Sequence, residues 1–536
     1  MLPKENPTPV LEPEKSASEM RFERIRSGLG FFLGPLVFLL VIVLPPPGAF
    51  VQFAQAQLGV SQVTPEVMQL VFSLKVTLAL MLLMIIWWIS EAVPIPVTSL
   101  LPGILLPLFH TYGFQDGRFV ELNGRNVLAH YANPVIFLFF AGFLIAGGMQ
   151  KWGLDRRIAL WVLTRPGVAE SPGRILAGMM LASALVSMWV SNTATTAMML
   201  PIGLGILARL NVGHHRSSFA RALLLGIAYA ASIGGVGTII GTPPNGIAVS
   251  ILRAAGLADI SFLRWMAFGA PFVFLCLPLA WLVLRLVFPF DITLGPDVRS
   301  LLEREKRELG PLSRGEKLTL AGFLVAVILW TTNPLWPYVP GLGQRLAWFD
   351  EYIIALFAAL ILFLSPVDWS KRQFVLDWSD ARYVDWGTLL LFGGGLALSD
   401  AMFKTGLAQV LASGFINLFG WPSPLVLVII VVIFMELLTE VTSNTAVTTM
   451  MVPILISISS GLGVDAASLA IPATFAASMA FMLPVATPPN ALVYATHRVS
   501  LRDMLKAGIA LDLVTWIFIV VFFYLYVFLV LGSVRY

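Results

Sequence analysis

The sequence predicts an all-α protein that crosses a membrane many times and is built from two inverted repeats. Three observations carry this. Of 536 residues, 58% are hydrophobic and only 12% charged, about half the charged fraction of a soluble domain. Mean hydropathy is +0.85, and many apolar runs approach the roughly 20 residues that span a bilayer. Finally, three blocks of sequence occur twice, in the same order.

The arm before the first apolar run, residues 1–28, opens MLPKENPTPVLEPEKSASEM, Pro- and Glu-rich and expected to be disordered. RFERIR follows and places the N-terminus in the cytoplasm. The apolar run that starts near Phe31 has no small-residue cleavage pattern after it, so it is expected to stay as an anchor. About eleven spans are predicted, near 31–46, 72–91, 97–111, 134–150, 218–256 (interrupted), 266–289, 318–336, 352–365, 387–402, 466–496 (interrupted) and 508–532. Two further apolar segments, about 172–210 and 423–460, are too long for one span and are broken by polar residues. Each is read as a re-entrant helical hairpin, because polar backbone at membrane depth is tolerated only in protein or against a wet cavity.

The basic residues agree with this count. It puts Lys151, Arg156, Arg157, Arg209, His214, Arg216, Arg221, the stretch REKRELGPLSRGEK (304–317), Lys371, Arg372, Arg498, Arg502 and Lys506 in the cytoplasm. Only scattered charges such as Arg118, Arg125 and Arg345 face outward, and the C-terminus ends outside.

The repeats are specific. FLFFAGFLIAGGMQKWGL (137–154) returns 253 residues later as LLLFGGGLALSDAMFKTGL (389–407), pairing Phe139 with Phe392 and Lys151 with Lys404. WVSNTATTAMMLPI (189–202) returns as VTSNTAVTTMMVPI (441–454), and GTPPNGI (241–247) as ATPPNAL (486–492). Five crossings separate the two SNT copies; an odd number inverts the second half, as in secondary transporters with broken helices.

The SNT and TPPN pairs carry the chemistry. Ser, Asn and Thr are good N-caps, because their side chains compete with helical backbone bonding. A helix beginning at Ser191-Asn192-Thr193 or Ser443-Asn444-Thr445 leaves free N–H groups and partial positive charge at mid-membrane. That attracts an anion without a buried Lys or Arg. In Thr242-Pro243-Pro244-Asn245 and Thr487-Pro488-Pro489-Asn490 the Thr caps and the first Pro suits the first helical position. The residue before a Pro is pushed out of helical geometry, so spans five and ten are predicted to break and restart there. Hydroxyls precede each tip: Ser187, Thr439 and Thr442. Together with free carbonyls at helix ends they suit Na⁺.

One polar patch in a span is ordinarily helix-packing glue; duplication at matched positions favours a binding site instead. Gly393-Gly394-Gly395 reads as close helix packing, and Met198, Met199, Met450 and Met451 as core filler. Glu436, Glu440 and Asp400 are buried or near-interface acids; Glu440 borders the second SNT and is a candidate for ion coupling or proton relay, with Met188 as its first-half counterpart. A single cysteine, Cys276, excludes an internal disulfide framework. The sequence offers no paired carboxylates, nucleophile–base set or metal cluster, so no enzyme and no organic cofactor is expected; the net charge of +4 reports loop bias rather than nucleic-acid binding. A channel or receptor is the reading from a different class.

On SNT at 191–193 and 443–445, TPPN at 242–245 and 487–490, and SMAFMLPVATPPNALV (478–493), residues 70–532 resemble the divalent-anion/sodium symporter family of Na⁺/dicarboxylate, citrate and sulfate carriers. The resemblance implies an elevator-type homodimer in a bacterial plasma membrane. It divides the chain into first scaffold helices (29–133), a first transport repeat (134–265), second scaffold helices (266–386, with a cytoplasmic loop at 291–317), a second transport repeat (387–496) and a last helix (497–536). It implies an interfacial amphipathic helix at 368–386, with a first-half equivalent near 116–132. One Na⁺ site would use Ser187, Ser191, Asn192 and the Gly241 carbonyl; the other Thr439, Thr442, Asn444 and the Ala486 carbonyl. A small dianion, most directly succinate, malate or fumarate, would meet Asn192, Thr193, Ser443, Asn444, Thr445 and the backbone near Thr242 and Pro488. Na⁺-independent exchangers of the family place a cationic side chain where the ion sits; the four motifs contain no Lys, Arg or His, which favours Na⁺ coupling over exchange.

Overall fold

The computed structural model describes residues 17–115, 117–210, 217–290, 292, 296–420 and 422–525. Expectations about residues 1–16, His214, Arg216 and the C-terminal end lie outside the described residues, whereas residues 17–28, expected in the disordered arm, form the start of a helix.

The first half runs α1 (Ala17–Val43), α2 (Gly48–Leu58), α3 (Pro65–Ser90), α4 (Ile95–Thr98), α5 (Leu101–Leu108), the strand pair β1 (Tyr112–Gln115) and β2 (Arg118–Glu121), then α6 (Gly124–Leu128). α7 (Pro134–Lys151), α8 (Leu154–Leu163), α9 (Pro172–Ser187), α10 (Asn192–Arg209), α11 (Ser218–Gly235) and α12 (Pro243–Ala254) complete it. The second half runs α13 (Phe262–Val287), α14 (Pro296–Glu308), α15 (Arg314–Thr332), α16 (Leu342–Leu346), α17 (Glu351–Leu364), β3 (Pro366–Asp368) and β4 (Gln373–Phe374). It ends with α18 (Trp386–Thr405), α19 (Leu407–Phe419), α20 (Pro424–Thr439), α21 (Asn444–Leu462), α22 (Ala466–Ala477), α23 (Pro488–Tyr494) and α24 (Leu501–Phe522).

Among the described residues, nine helices are long and apolar enough to cross a membrane. Burial sorts them. The span in α1 is 17% buried and carries exposed Leu29, Phe32 and Leu39, whereas α11 is 89% buried. An apolar surface of that kind is what lipid covers. The first arms of the two broken helices, α11 and α22, therefore form the centre, where small residues let neighbours approach: Gly234 lies against the Ala184 backbone.

The halves interlock reciprocally. α10 packs on α23, and α21 on α12, so each SNT helix meets the other half's TPPN helix. Phe139 and Phe392, matched positions of the repeat, touch with ring centroids 4.7 Å apart, as residues beside a pseudo-twofold axis do. Lys151 of α7 pairs with Asp380 (2.6 Å), while His130 before α7 meets Asp400 of α18 (3.2 Å), itself bound to Lys404 (2.8 Å). Gly153 (φ 70°) and Gly406 (φ 82°) stand at matched positions in the left-handed region, where a side chain is strained. Each turns the chain from a long helix into an amphipathic one, α8 or α19.

The structure departs from the sequence reading in several places. Segment 97–111 is not one helix but α4 and α5, because Pro94, Pro96, Pro102 and Pro107 remove N–H donors and crowd preceding turns. Segment 368–386 is not a helix: it holds the end of the β3–β4 pair and a 3₁₀ turn at Trp378–Tyr383. Asp368 accepts from the Ser370 and Lys371 N–H groups, and Asp377 from Ser379, so side chains outcompete helical bonds. Its exposed Trp369 and Trp378 still suit a membrane interface. The region near 116–132 mirrors it, with β1–β2, α6 and a 3₁₀ turn at Ala129–Ala132. The loop at 291–317 contains α14 and the start of α15, which is fixed by a Ser313–Glu316 capping box. α24 starts at Leu501 rather than near 508, so it also carries Arg502 and Lys506. α21, expected as a hairpin arm, is itself long and apolar enough to span.

Candidate functional site

The four motif helices begin where the cap residues stand. Ser191 caps α10 and its Oγ accepts from the Ala194 N–H; Ser443 occupies the same place before α21 without that bond. Thr242 precedes α12 and Thr487 precedes α23, each followed by Pro at the first helical position. Thr487 accepts from the Asn490 N–H, while Thr242 makes no side-chain cap.

Within each half the tip folds back on the helix before it. Ser187 Oγ donates to Asn192 Oδ1 at 2.7 Å, and Thr439 Oγ1 to Asn444 Oδ1 at 2.6 Å. The structure thus brings together two residues of each Na⁺ set. Asn192 rests on Gly235, and Gly241 lies against the Met188 and Gly235 carbonyls. Thr439 Oγ1 also contacts the Ala477 carbonyl at 2.8 Å. Thr442 differs in its partner: its hydroxyl donates to the Trp88 carbonyl of α3 at 3.4 Å. Ser191, Asn192, Thr193, Ser443 and Asn444 are half-buried, Thr242 and Thr445 buried and Pro488 exposed. Ala486 is buried, with its N–H on the Leu483 carbonyl.

The breaks in the two TPPN helices are held alike. Asn245 Nδ2 donates to the Gly235 and Thr238 carbonyls at 3.1 and 2.7 Å. Asn490 Nδ2 donates to the Ala480 and Leu483 carbonyls, both at 3.0 Å. In both residues Oδ1 is buried and meets no donor among the described residues. Buried polar oxygens normally have partners, and two orphans at matched positions fit a hard cation. The surrounding hydroxyl, amide and carbonyl oxygens suit Na⁺, and no described His/Cys/Asp/Glu group suits a transition metal.

Other side chains behave as the sequence suggested. Gly393, Gly394 and Gly395 admit Tyr131, the Ser99 carbonyl and Thr449 at close range. Met199, Met450 and Cys276 are buried core residues. A cavity of about 640 Å³ lies between α12, α18, α19 and α21 and is lined by His130, Asp400 and Lys404. No SNT or TPPN residue lines it, so it is set apart from the tips.

Sequence reasoning missed how Glu440 is used. Its carboxylate accepts from three successive N–H groups, Phe481 (2.6 Å) and Met482 (2.9 Å) on Oε1 and Leu483 (3.0 Å) on Oε2. That ties the second SNT connector to the second helix break. In the first half the Met188 carbonyl takes a hydroxyl bond from Thr238 at 2.5 Å instead. A run of three donors in an irregular turn is not visible in sequence, because it is backbone.

The comparisons with known proteins agree with this architecture. The sequence pattern of the family described as "Sodium:sulfate symporter transmembrane region" matches residues 56–533. The sodium-dependent dicarboxylate transporter SdcS of Staphylococcus saprophyticus is 39% identical over 517 residues, covering 94% of this chain and 92% of that protein. SdcS of Staphylococcus aureus is 37% identical over 527 residues, with the same coverage. The crystal structure of the Alcanivorax borkumensis YdaH transporter shares the fold, with a TM-score of 0.51 at 14% identity over 82% of this chain and 97% of that one. MtrF of Neisseria gonorrhoeae does likewise, with a TM-score of 0.51 at 12% identity over 82% and 94%. With a family match over most of its length and relatives this similar, the chain belongs to the sodium:sulfate symporter group of the divalent-anion/sodium symporter family, a family of membrane transporters rather than enzymes.

Proposed function

We propose that this protein is a Na⁺-coupled symporter that carries a small dianion, a C4-dicarboxylate such as succinate, malate or fumarate, across a bacterial plasma membrane. The observation that carries the reading is the paired hydroxyl–amide tip, Ser187–Asn192 and Thr439–Asn444, each at the N-terminus of a half-helix. The printed function of the SdcS relatives supports the cargo. Na⁺ binds first, at Ser187, Ser191, Asn192 and the Gly241 carbonyl, and at Thr439, Thr442, Asn444 and the Ala486 carbonyl. Ion binding takes over the amide oxygens and orders both tips. The dianion then meets Asn192, Thr193, Ser443, Asn444, Thr445 and the N–H groups that open α12 and α23 near Thr242 and Pro488. Its charge is balanced by Na⁺ and helix dipoles rather than by cationic side chains. The α9–α10 and α20–α21 pairs act as re-entrant arms that move with the cargo in an elevator-type step, within a homodimer.

Uptake of labelled succinate into proteoliposomes, with Na⁺ or choline outside, tests this. Accumulation is expected only with an inward Na⁺ gradient. Asn192→Ala or Asn444→Ala should lower it at least about a hundredfold without loss of folded protein. Wild-type uptake by either variant, or label exchange that ignores Na⁺, would overturn the assignment.

A further inference from the structure

Two joints hold the SNT connectors onto the helix breaks, and they differ in charge. The residue three before Ser191 is Met188, and the residue three before Ser443 is Glu440. At the first joint all contacts are neutral: Thr238 Oγ1 donates to the Met188 carbonyl and accepts from the Gly241 N–H at 3.1 Å. At the second, the side chain of Glu440, 3% exposed, fills a nest of three peptide N–H groups. Such nests bind anions, and the three peptide donors fix the carboxylate in place. Among the described residues no Lys, Arg or His forms an ion pair with Glu440. The Asp512 carboxyl of α24 also interacts with that of Glu440, and Glu436 of α20 lies nearby; both are fully buried and supply no positive charge. Glu440 directly follows Thr439, whose hydroxyl and that of its matched residue Ser187 are the first contacts of the two amide tips.

We propose that Glu440 is a positioning residue that makes the second cation position, at Thr439 and Asn444, the tighter of the two. It does so by fixing the 481–483 turn against the connector and by placing a negative charge beside a cation in a poorly solvated site. The first position, fastened by neutral bonds, fills at higher Na⁺. This rests on the symport reading above and adds an order of filling to it.

The test titrates the purified full-length protein with NaCl, choline replacing Na⁺ at constant ionic strength, and reads thermal unfolding without dicarboxylate. Na⁺-driven succinate uptake is read in parallel. Glu440→Gln should raise the half-saturating Na⁺ about tenfold, with uptake recovering as Na⁺ is raised. Thr238→Val, which cuts the matched joint, should raise it less than about threefold. Glu440→Asp, which keeps the charge on a shorter arm, should fall between wild type and Glu440→Gln, and it decides the matter if Glu440→Gln does not assemble. An unchanged Na⁺ midpoint in Glu440→Gln, with stability lost equally in choline and NaCl, marks a structural prop and overturns the proposal. So does a Thr238→Val shift as large as that of Glu440→Gln, or a tenfold shift in Glu440→Asp despite its retained charge. A wild type with no Na⁺ response overturns the symport reading itself, which separates the two failures.

Discussion

Asn192 can fold back to Ser187 only because the residue beneath it lacks a side chain. A Cβ on Gly235 would stand 2.5 Å from Asn192 Oδ1 and 3.1 Å from its Nδ2. The residue at the matched place in the second half is Ala480, so the two tips are seated differently. Gly235→Ala should therefore displace Asn192 and lower Na⁺-driven uptake at least about tenfold, while size-exclusion chromatography still shows folded protein. The sequence singled out Asn192 as a functional residue but gave no reason to single out Gly235 in a run of small residues. A second residue-scale prediction concerns Asp155 at the start of α8. Burial raises its carboxyl to about 6, against hydrogen bonds and a charge from Arg156 that pull it down. The folded state thus holds a proton that the unfolded state has released. The stabilising contribution is complete below the unfolded value near 3.8 and is lost as pH rises through about 6. Asp155→Asn has nothing to ionise and should be more stable than wild type at neutral pH by about 1–3 kcal/mol, read by thermal unfolding in detergent.

At the scale of elements, the helix starts were the most legible feature. A cap bond starts α10, a Pro at the first position starts α12, and both start α23, each acting locally; α21 begins at the matched Ser443 without either. What spans the breaks before α12 and α23 is tertiary. Asn245 and Asn490 each bridge two carbonyls across the break. Asn490→Leu should strand the buried Ala480 carbonyl, at about 1–3 kcal/mol, and lower the melting temperature, while the Leu483 carbonyl keeps the Ala486 N–H. Asn490→Asp keeps an acceptor but loses the donors, so it should not rescue. The 368–386 segment shows the limit of composition. Trp and charge in one stretch marked a membrane interface, but Asp368 and Asp377 at short range to peptide N–H groups chose turns over helix.

For the whole molecule, the reciprocal pairs α10 with α23 and α12 with α21 lock the two halves together. The basic residues imply that Lys371 faces the cytoplasm and Arg125 the outside, and both positions are exposed. Cys276 is the only cysteine and is fully buried, so it should not react with a membrane-impermeant maleimide. In intact cells Arg125→Cys should be labelled and Lys371→Cys only after the membrane is opened. The reverse pattern would invert the topology.

The sequence alone determined the membrane class, the twofold repetition and the sites where helices stop and restart. These depend on hydropathy, on local capping and on the proline ring, all of which act within a few residues. Tertiary structure alone decided that Thr442 turns toward Trp88, that Gly235 seats Asn192, and that Glu440 occupies the 481–483 turn. Each of those joins positions far apart in the chain through backbone groups or the absence of a side chain. Neither leaves a mark in the letters, because every residue has a backbone and its direction is set only when the helices pack.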